Sequence, residues 1–271
     1  MSQNIPQTSH KNILLNKNID HFEELAQPII AYGRELKIGQ TLPFHQHRRA
    51  QLVYACTGVM TVTTLLASYV VPPQRSVWMP AGVQHRIDAR SDVSMRTLYI
   101  DTQSVKSLPE GVCILHVTPL LRELITSVVS EQPNYPSNGP VSRIMLVILD
   151  QIRTLPTVSL ALPMPTDPRA LRIAKMLIDN AADKRDLDQW SSEVGASKRT
   201  LGRLFTAQTG MSFRAWRQQR RVLRAIELLA TGESVTNIGL ELGYDNTSAF
   251  IAMFRRCLGT TPARYINPES Y

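Results

Sequence analysis

Residues Ser197–Phe205 read Ser-Lys-Arg-Thr-Leu-Gly-Arg-Leu-Phe. The leading serine has the chemistry of an N-cap, its hydroxyl oxygen accepting from a free amide of the first helical turn. Leu201, Leu204 and Phe205 fall on one apolar stripe at helical spacing, with Lys198, Arg199 and Arg203 on the opposite face. Just upstream, Leu187–Val194 carries a second amphipathic pattern, separated only by Gly195-Ala196. Two short helices joined by a tight glycine turn, the second basic on its free face, describe a DNA-reading helix-turn-helix. An ordinary helical hairpin with a solvated charged face fits the same residues, so the rest of the chain decides.

The motif recurs. Leu187, Trp190, Gly195, Leu201, Phe205, Gly210, Ser212 and Trp216 have counterparts in Val235, Ile238, Gly243, Phe250, Phe254, Gly259, Thr261 and Tyr265. The offset is constant apart from one residue added in the second turn, which marks an internal repeat. Between the copies the pattern predicts a helix from about Phe213 to Ala230, capped by Ser212 and ended by Gly232, and another precedes them at Arg169–Ala181. About 18 residues at 1.5 Å each span roughly 27 Å. The two recognition helices then lie about one DNA turn apart, near 34 Å, so one protomer reaches two successive major grooves.

From about Asp167 to Ile266 the chain resembles the DNA-binding domain of the AraC/XylS family of transcription regulators. Ser197, Leu201, Arg203, Phe205, Thr209-Gly210, Leu242-Gly243-Tyr244, Phe250, Phe254, Arg255, Gly259, Pro262 and Tyr265 carry the likeness. Gly239 departs from the family's usual alanine, a small-for-small change. The resemblance implies that Arg199, Gly202 and Arg203 face the bases from the first recognition helix, and Thr247, Ser248, Ile251 and Ala252 from the second. An arginine can bond guanine O6 and N7 together, so Arg203 is the leading candidate for direct readout. Lys198, Arg220, Arg255 and Arg256 are expected on phosphates, where charge fixes register without reading sequence. The family also implies RNA polymerase as a partner and activation more often than repression.

Bulk composition agrees. At 271 residues the chain has room for two domains, and 43% hydrophobic with 19% charged residues is globular rather than disordered. A formal charge of +8 favours a polyanionic partner, nucleic acid before a membrane surface, and the family resemblance makes that double-stranded promoter DNA. Cys56, Cys113 and Cys257 are widely spaced without a CxxC, as expected of reduced thiols packed as small hydrophobes. No apolar run suits a signal peptide or a membrane span, so a cytoplasmic protein with no membrane partner is expected.

Residues 1–27 read as a loose polar lead-in with a short strand or turn near Ile13–Leu15. From Ile29 to Asp101, short β-branched and aromatic runs alternate with turn signals at Thr57-Gly58, Pro72-Pro73, Pro80-Ala-Gly82 and Arg90-Ser-Asp92. Such spacing predicts a sandwich or jelly-roll barrel. His45 and His47, two apart, share a strand face. With Gly39, Gln51 and Gly58 they resemble the first motif of the cupin superfamily, and Pro80, Gly82 and His85 the second. Gln51 stands where metal-binding cupins have glutamate, Gln74 replaces a leading glycine and Ala89 a closing asparagine. The resemblance implies a metal set of His45, His47, Gln51 and His85, and three imidazoles suit Zn²⁺, Ni²⁺ or Fe²⁺ with a position left open. The same residues could instead line a polar pocket or sit in the core. Tyr54, Met60 and Trp78, with Met79 and Met95, are candidates for an effector cavity, against the plainer reading of core.

Helices are predicted at Thr118–Gln132 and about Val141–Arg153. In the second, Ile144, Leu146, Val147, Ile148 and Leu149 are apolar on more than one side, so a second copy of the chain is expected to cover one face; a helix sandwiched within one protomer is the alternative. Pro156, Pro163, Pro165 and Pro168 then read as a semi-rigid linker. The expected plan is an α+β multidomain chain. A cupin-like β-barrel sensor (1–116) comes first, then a helical dimerisation pair (117–155), a linker (156–166) and an all-α double helix-turn-helix (167–271). The expected function is a DNA-binding regulator controlled by a small-molecule or metal effector. A metal-dependent cupin enzyme fused to a DNA-binding module is the rival, weakened by Gln51.

Overall fold

The computed structural model describes residues 25–266, apart from 74, 132, 156, 159 and 160. The expected lead-in strand at Ile13–Leu15 and the motif position Gln74 lie outside the described residues. By contacts the chain divides into two compact units, Met1–Val62 with Val71–Ser159, and Thr63–Val70 with Leu160–Tyr271.

The strands run β1 (Ile29–Leu36), β2 (Thr41–His45), β3 (Ala50–Thr57), β4 (Met60–Thr64), β5 (Ala67–Val71), β6 (Arg75–Met79), β7 (His85–Ala89), β8 (Val93–Ile100) and β9 (Cys113–His116). Helices α1 (Pro119–Val129) and α2 (Pro140–Thr154) follow, then the short strands β10 (Thr157–Val158) and β11 (Ala161–Pro163). They form two sheets, a six-stranded one in the order β1-β8-β3-β6-β9-β10 and a five-stranded one in the order β11-β5-β4-β7-β2. A two-sheet, cupin-like β domain thus stands where the turn spacing predicted a barrel.

The six-stranded sheet is buried on both faces. Ala50, Leu52, Tyr54, Trp78, Leu98, Ile100 and Leu115 pack against Leu121, Ile125 and Val128 of α1 and Met145, Ile148, Leu149 and Ile152 of α2. Alternation along the paired strands puts Gln51, Val53, Met79, Met95, Thr97 and Tyr99 on the other face. Burial of both faces explains runs such as Gln51–Cys56 that do not alternate in hydrophobicity. It also corrects the cavity assignment: Tyr54 and Trp78 lie under the helical pair, with Trp78 Nε1 donating to Pro109 O at 2.7 Å. Met60 is fully buried on β4, and Met79 and Met95 share the face of Gln51. Cys56 and Cys113 pack beside this core as expected, whereas Cys257 is exposed.

Gly58 closes the β3–β4 turn at φ +77°, and a Cβ there would meet Asp92 O at 2.0 Å. The obstacle is backbone, which has nowhere to move. Gly58→Ala is therefore expected to destabilise the sensor by at least about 2 kcal/mol, combining left-handed strain with the clash. Urea unfolding checks this; an unchanged midpoint would contradict it.

The second unit is helical: α3 (Pro168–Asp179), α4 (Leu187–Val194), α5 (Lys198–Thr209), α6 (Phe213–Ala230), α7 (Val235–Glu241), α8 (Thr247–Leu258) and α9 (Pro262–Ile266). Local chemistry sets the starts. Asp186 and Gln189 close a capping box on α4, and Ser197, Ser212, Ser234 and Asn246 each accept from an amide one turn on. The repeat is structural: Phe205 and Phe254 are both 0% exposed, as are Leu201 and Phe250. Residues expected as a linker form β10, paired with β9, and β11, paired with β5. Within this unit Trp216 Nε1 donates to Pro163 O at 2.6 Å, and Gln208 Oε1 accepts from the amides of Thr166 and Asp167. Among the described residues no helix is long and apolar enough to cross a membrane.

Candidate functional site

Two surfaces are candidates for function. The first lies in the helical unit. Leu201 and Phe205 anchor α5 inward, which turns Lys198, Arg199 and Arg203 out to solvent, with Gly202 half-buried between them. On α8 the inward anchors are Phe250, Met253 and Phe254. Ser248 and Ala252 are exposed and Thr247 and Ile251 half-buried. Ser248, Ile251 and Ala252 line an open hollow of about 640 Å³ together with Arg255, Arg256 and Thr261. The side chains expected to face bases and those expected to face phosphates therefore border one recess on α8. Thr261, beside them, was not singled out in the sequence.

Two expected phosphate partners sit differently. Lys198 is exposed but pairs with Asp188 at 2.5 Å. Arg220 is 7% exposed and cannot reach DNA. Its guanidinium donates to Ile178 O at 2.9 Å and pairs with buried Glu227 at 3.5 Å, so it is a core group of the unit. Its place in a helix between the two motifs said nothing about which face α3 covers.

The second surface is the histidine site. His45 ends β2, His47 follows it and His85 opens β7, opposite His45 in the ladder. One ligand atom from each imidazole lies within 4.8 Å of the others, and the ring centroids are 4.3 to 5.5 Å apart. The Nδ1–H of His45 donates to Pro43 O at 2.7 Å and that of His85 to Val83 O at 3.0 Å. A carbonyl only accepts, so these bonds put the proton on Nδ1 and leave Nε2 with its lone pair bare. His85 Nε2 is buried with no hydrogen-bond partner among the described residues. Burial pushes the His47 imidazole down to about 3 and His85 to about 4, so both are neutral at pH 7. Neutral imidazoles with fixed tautomers are the form that binds a metal.

Gln51 joins this set from β3. Its Nε2 donates to Thr97 Oγ1 at 3.0 Å and to Tyr99 Oη at 3.1 Å. Thr97 Oγ1 in turn donates to Leu52 O, which leaves it an acceptor toward Gln51 and fixes the amide orientation. Gln51 Oε1 is then buried without a hydrogen bond. Tyr99, whose ring lies 4.9 Å from that of His47, links the two residues. Thr97 and Tyr99 escaped the sequence reading, although their two-residue spacing on one strand was a usable signal. His47 also borders a hollow of about 500 Å³ lined by Gln46, Arg48, Ala81 and Gly82.

Comparison with known proteins assigns both parts of the chain to families. Residues 190–267 match the helix-turn-helix domain family, and residues 29–162 the AraC-like ligand binding domain family. The HTH-type transcriptional regulator NimR of Escherichia coli K12 is 36% identical over 226 residues, 83% of this chain and 82% of that protein. RipA of Corynebacterium glutamicum, also an HTH-type transcriptional regulator, is 37% identical over 103 residues, 38% of this chain and 31% of that one. ToxT from Vibrio cholerae, a solved structure, shares 12% identity over 89% of this chain and 98% of its own, at a TM-score of 0.38. The chain belongs to the AraC family of transcription regulators, with a ligand-binding domain ahead of a DNA-binding helix-turn-helix domain.

Proposed function

We propose that this regulator senses a divalent transition metal, Zn²⁺, Ni²⁺ or Fe²⁺, through His45, His47 and His85, with Gln51 Oε1 as a further donor. The metal is the effector itself or holds a small-molecule effector at its open position. The supporting observation is the three close imidazoles, two with Nδ1 tied to carbonyls and one with a buried, unpartnered Nε2. Without a cation such a cluster leaves polar atoms buried at a cost of about 1–3 kcal/mol each. Metal analysis of protein purified without a His tag is expected to find one ion per chain. No metal above background, with binding to promoter DNA unchanged by a chelator, refutes the reading. A polar pocket for an organic effector alone would give that result. The fused-enzyme reading has no observation in its favour.

At the DNA, Arg199, Gly202 and Arg203 of α5 and Thr247, Ser248, Ile251 and Ala252 of α8 are proposed to face bases. Lys198, Arg255 and Arg256 are proposed to face phosphates. Arg203→Ala is expected to relax discrimination at one base pair by about 1–3 kcal/mol, whereas Arg255→Ala weakens all sequences alike. Binding measured on specific and random duplexes separates the two; equal losses on both for Arg203→Ala contradict the assignment. The functional parts are then a cytoplasmic sensor (1–116), a helical pair (117–155) and a DNA reader (167–271) that recruits RNA polymerase as an activator.

The helical pair is proposed to form a homodimer. Leu120 on α1 and Leu146 and Val147 on α2 are 54%, 58% and 43% exposed, while Leu149 is buried under the sheet. Leu146→Glu with Val147→Glu is expected to halve the sedimenting mass without unfolding the chain; an unchanged mass contradicts the dimer. Leu149 is unsuitable for this test because its side chain belongs to the core.

A further inference from the structure

The two helix-turn-helix motifs of the DNA-binding unit meet along a seam. On one side is the loop between α3 and α4, residues 180–186, and on the other the turn between α7 and α8, residues 242–246. At Gly243, φ is +77° and a Cβ would meet Ala182 O at 3.1 Å, so the two backbones touch. Arginines of α6 tie down that loop and the end of α3 before it. Arg220 donates to Ile178 O, Arg221 to Ala181 O at 3.0 Å and Arg217 to Arg185 O at 2.8 Å. Arg224, one turn further along, pairs with Glu227 of α6 at 3.1 Å and with Glu241 of α7 at 2.8 Å.

The covalent link between α6 and the second motif is held to the end of α6 by the amides of Thr231, Gly232 and Glu233, which donate to Leu228 O and Leu229 O. It consists of Thr231, Gly232, Glu233 and Ser234, all exposed, with Gly232 at φ +87° and no atom within 4 Å of where a Cβ would sit. Helix α6 fixes where the second motif starts but not the angle at which α8 is presented. That angle depends on side chains across the seam. The Lys184–Asp245 pair, 65% and 90% open to water, adds little. Gln218 of α6 donates to Cys257 of α8 at 2.9 Å and the Arg221 guanidinium lies 5.7 Å from the Tyr244 ring centroid, while Arg224 is the charged bridge from α6 to α7.

We propose that Arg224 is a positioning residue: through Glu227 and Glu241 it locks α8 relative to α5, so that the protein accepts its two DNA boxes at a single separation. The inference rests on the reading that both α5 and α8 enter the DNA. One inserted base pair displaces the second box by about 3.4 Å and rotates it by about 35°, since a turn holds 10–10.5 base pairs. A locked seam cannot follow that movement; a hinge at Gly232 could.

The test selects duplexes from a random pool with the full-length protein. The wild type is expected to enrich two boxes at one separation. Arg224→Gln is expected to enrich the same two boxes while its penalty for one inserted base pair falls about fivefold, the loss of one partly screened charge pair of about 1 kcal/mol. Glu241→Gln breaks the same bridge from its exposed end and should do likewise, which covers a failure of Arg224→Gln to fold. Retained boxes separate this outcome from general destabilisation. Unchanged spacing preference in both variants overturns the inference and leaves the two-helix reading standing. Several separations enriched by the wild type also overturn it. A single box, from wild type and variants alike, overturns that reading and the inference with it.

Discussion

Arg220→Ala is expected to destabilise the DNA-binding unit by about 3 kcal/mol, because removing one partner strands a buried charge. Arg220 and Glu227 have side chains only 8% and 6% exposed. Glu227 keeps Arg224, which places the effect at the low end of the usual range for a broken buried pair. Ile178 O also loses its donor at the end of α3. The loss appears as a lower urea midpoint for the helical unit, while DNA affinity per folded molecule and its salt dependence stay as they were. A phosphate contact behaves in the opposite way. Stability would then be unchanged, and the slope of log affinity against log salt would fall by about one. That second pattern would show Arg220 on the DNA and not in the core.

Arg220 shows where sequence reasoning reaches and where it stops. The caps and turns of the double motif were legible because their chemistry is local: a serine hydroxyl on an amide one turn away, or a glycine at φ 66° in Gly195 and 77° in Gly243. The repeat was legible because each copy needs the same inward anchors. Which face of α6 another helix covers is a tertiary fact, and an arginine on a helical wheel looks the same in solvent and in a buried pair.

The β domain divides the same way. The histidines were legible because the motif carried all three; the shared strand face expected of His45 and His47 does not hold, since β2 ends at His45 and His47 follows it in the loop. Tyr54 and Trp78 were misplaced because α1 and α2 bury the outer face of the sheet, so both faces read as apolar. A parity argument would have separated them, since Gln51 and Tyr54 are three apart and point to opposite faces. The prolines around residue 163 concealed β11 for a related reason. Proline is tolerated on an edge strand, and β11 is the edge of its sheet.

His85→Ala is expected to abolish metal binding, with affinity lowered at least about a hundredfold, since even outer-shell partners of a ligand are worth 10–100-fold. The side chain is 1% exposed, its Nδ1 is committed to Val83 O, and its Nε2 is the atom without a partner. A buried imidazole used only for packing would offer both nitrogens to protein groups; this one offers a bare lone pair toward two others. The readout is stability, independent of any promoter. At metal 100-fold above the wild-type dissociation constant the wild type should gain about 2.7 kcal/mol, and the variant no more than about 0.4 kcal/mol. Gln51→Glu, restoring the carboxylate usual in metal-binding cupins, should tighten binding because an anionic oxygen is the better ligand for a hard or borderline cation. It also puts Thr97 and Tyr99, now acceptors for the amide, opposite a group that only accepts, so both hydroxyls must turn and Leu52 O loses its donor. The metal-free variant should therefore be less stable than the wild type, and metal should raise its stability by more than it raises that of the wild type. A wild type that melts at the same temperature with and without Zn²⁺, Ni²⁺ or Fe²⁺ leaves the cluster as packing. A Gln51→Glu variant indifferent to metal removes Gln51 from the set while leaving the three histidines in it.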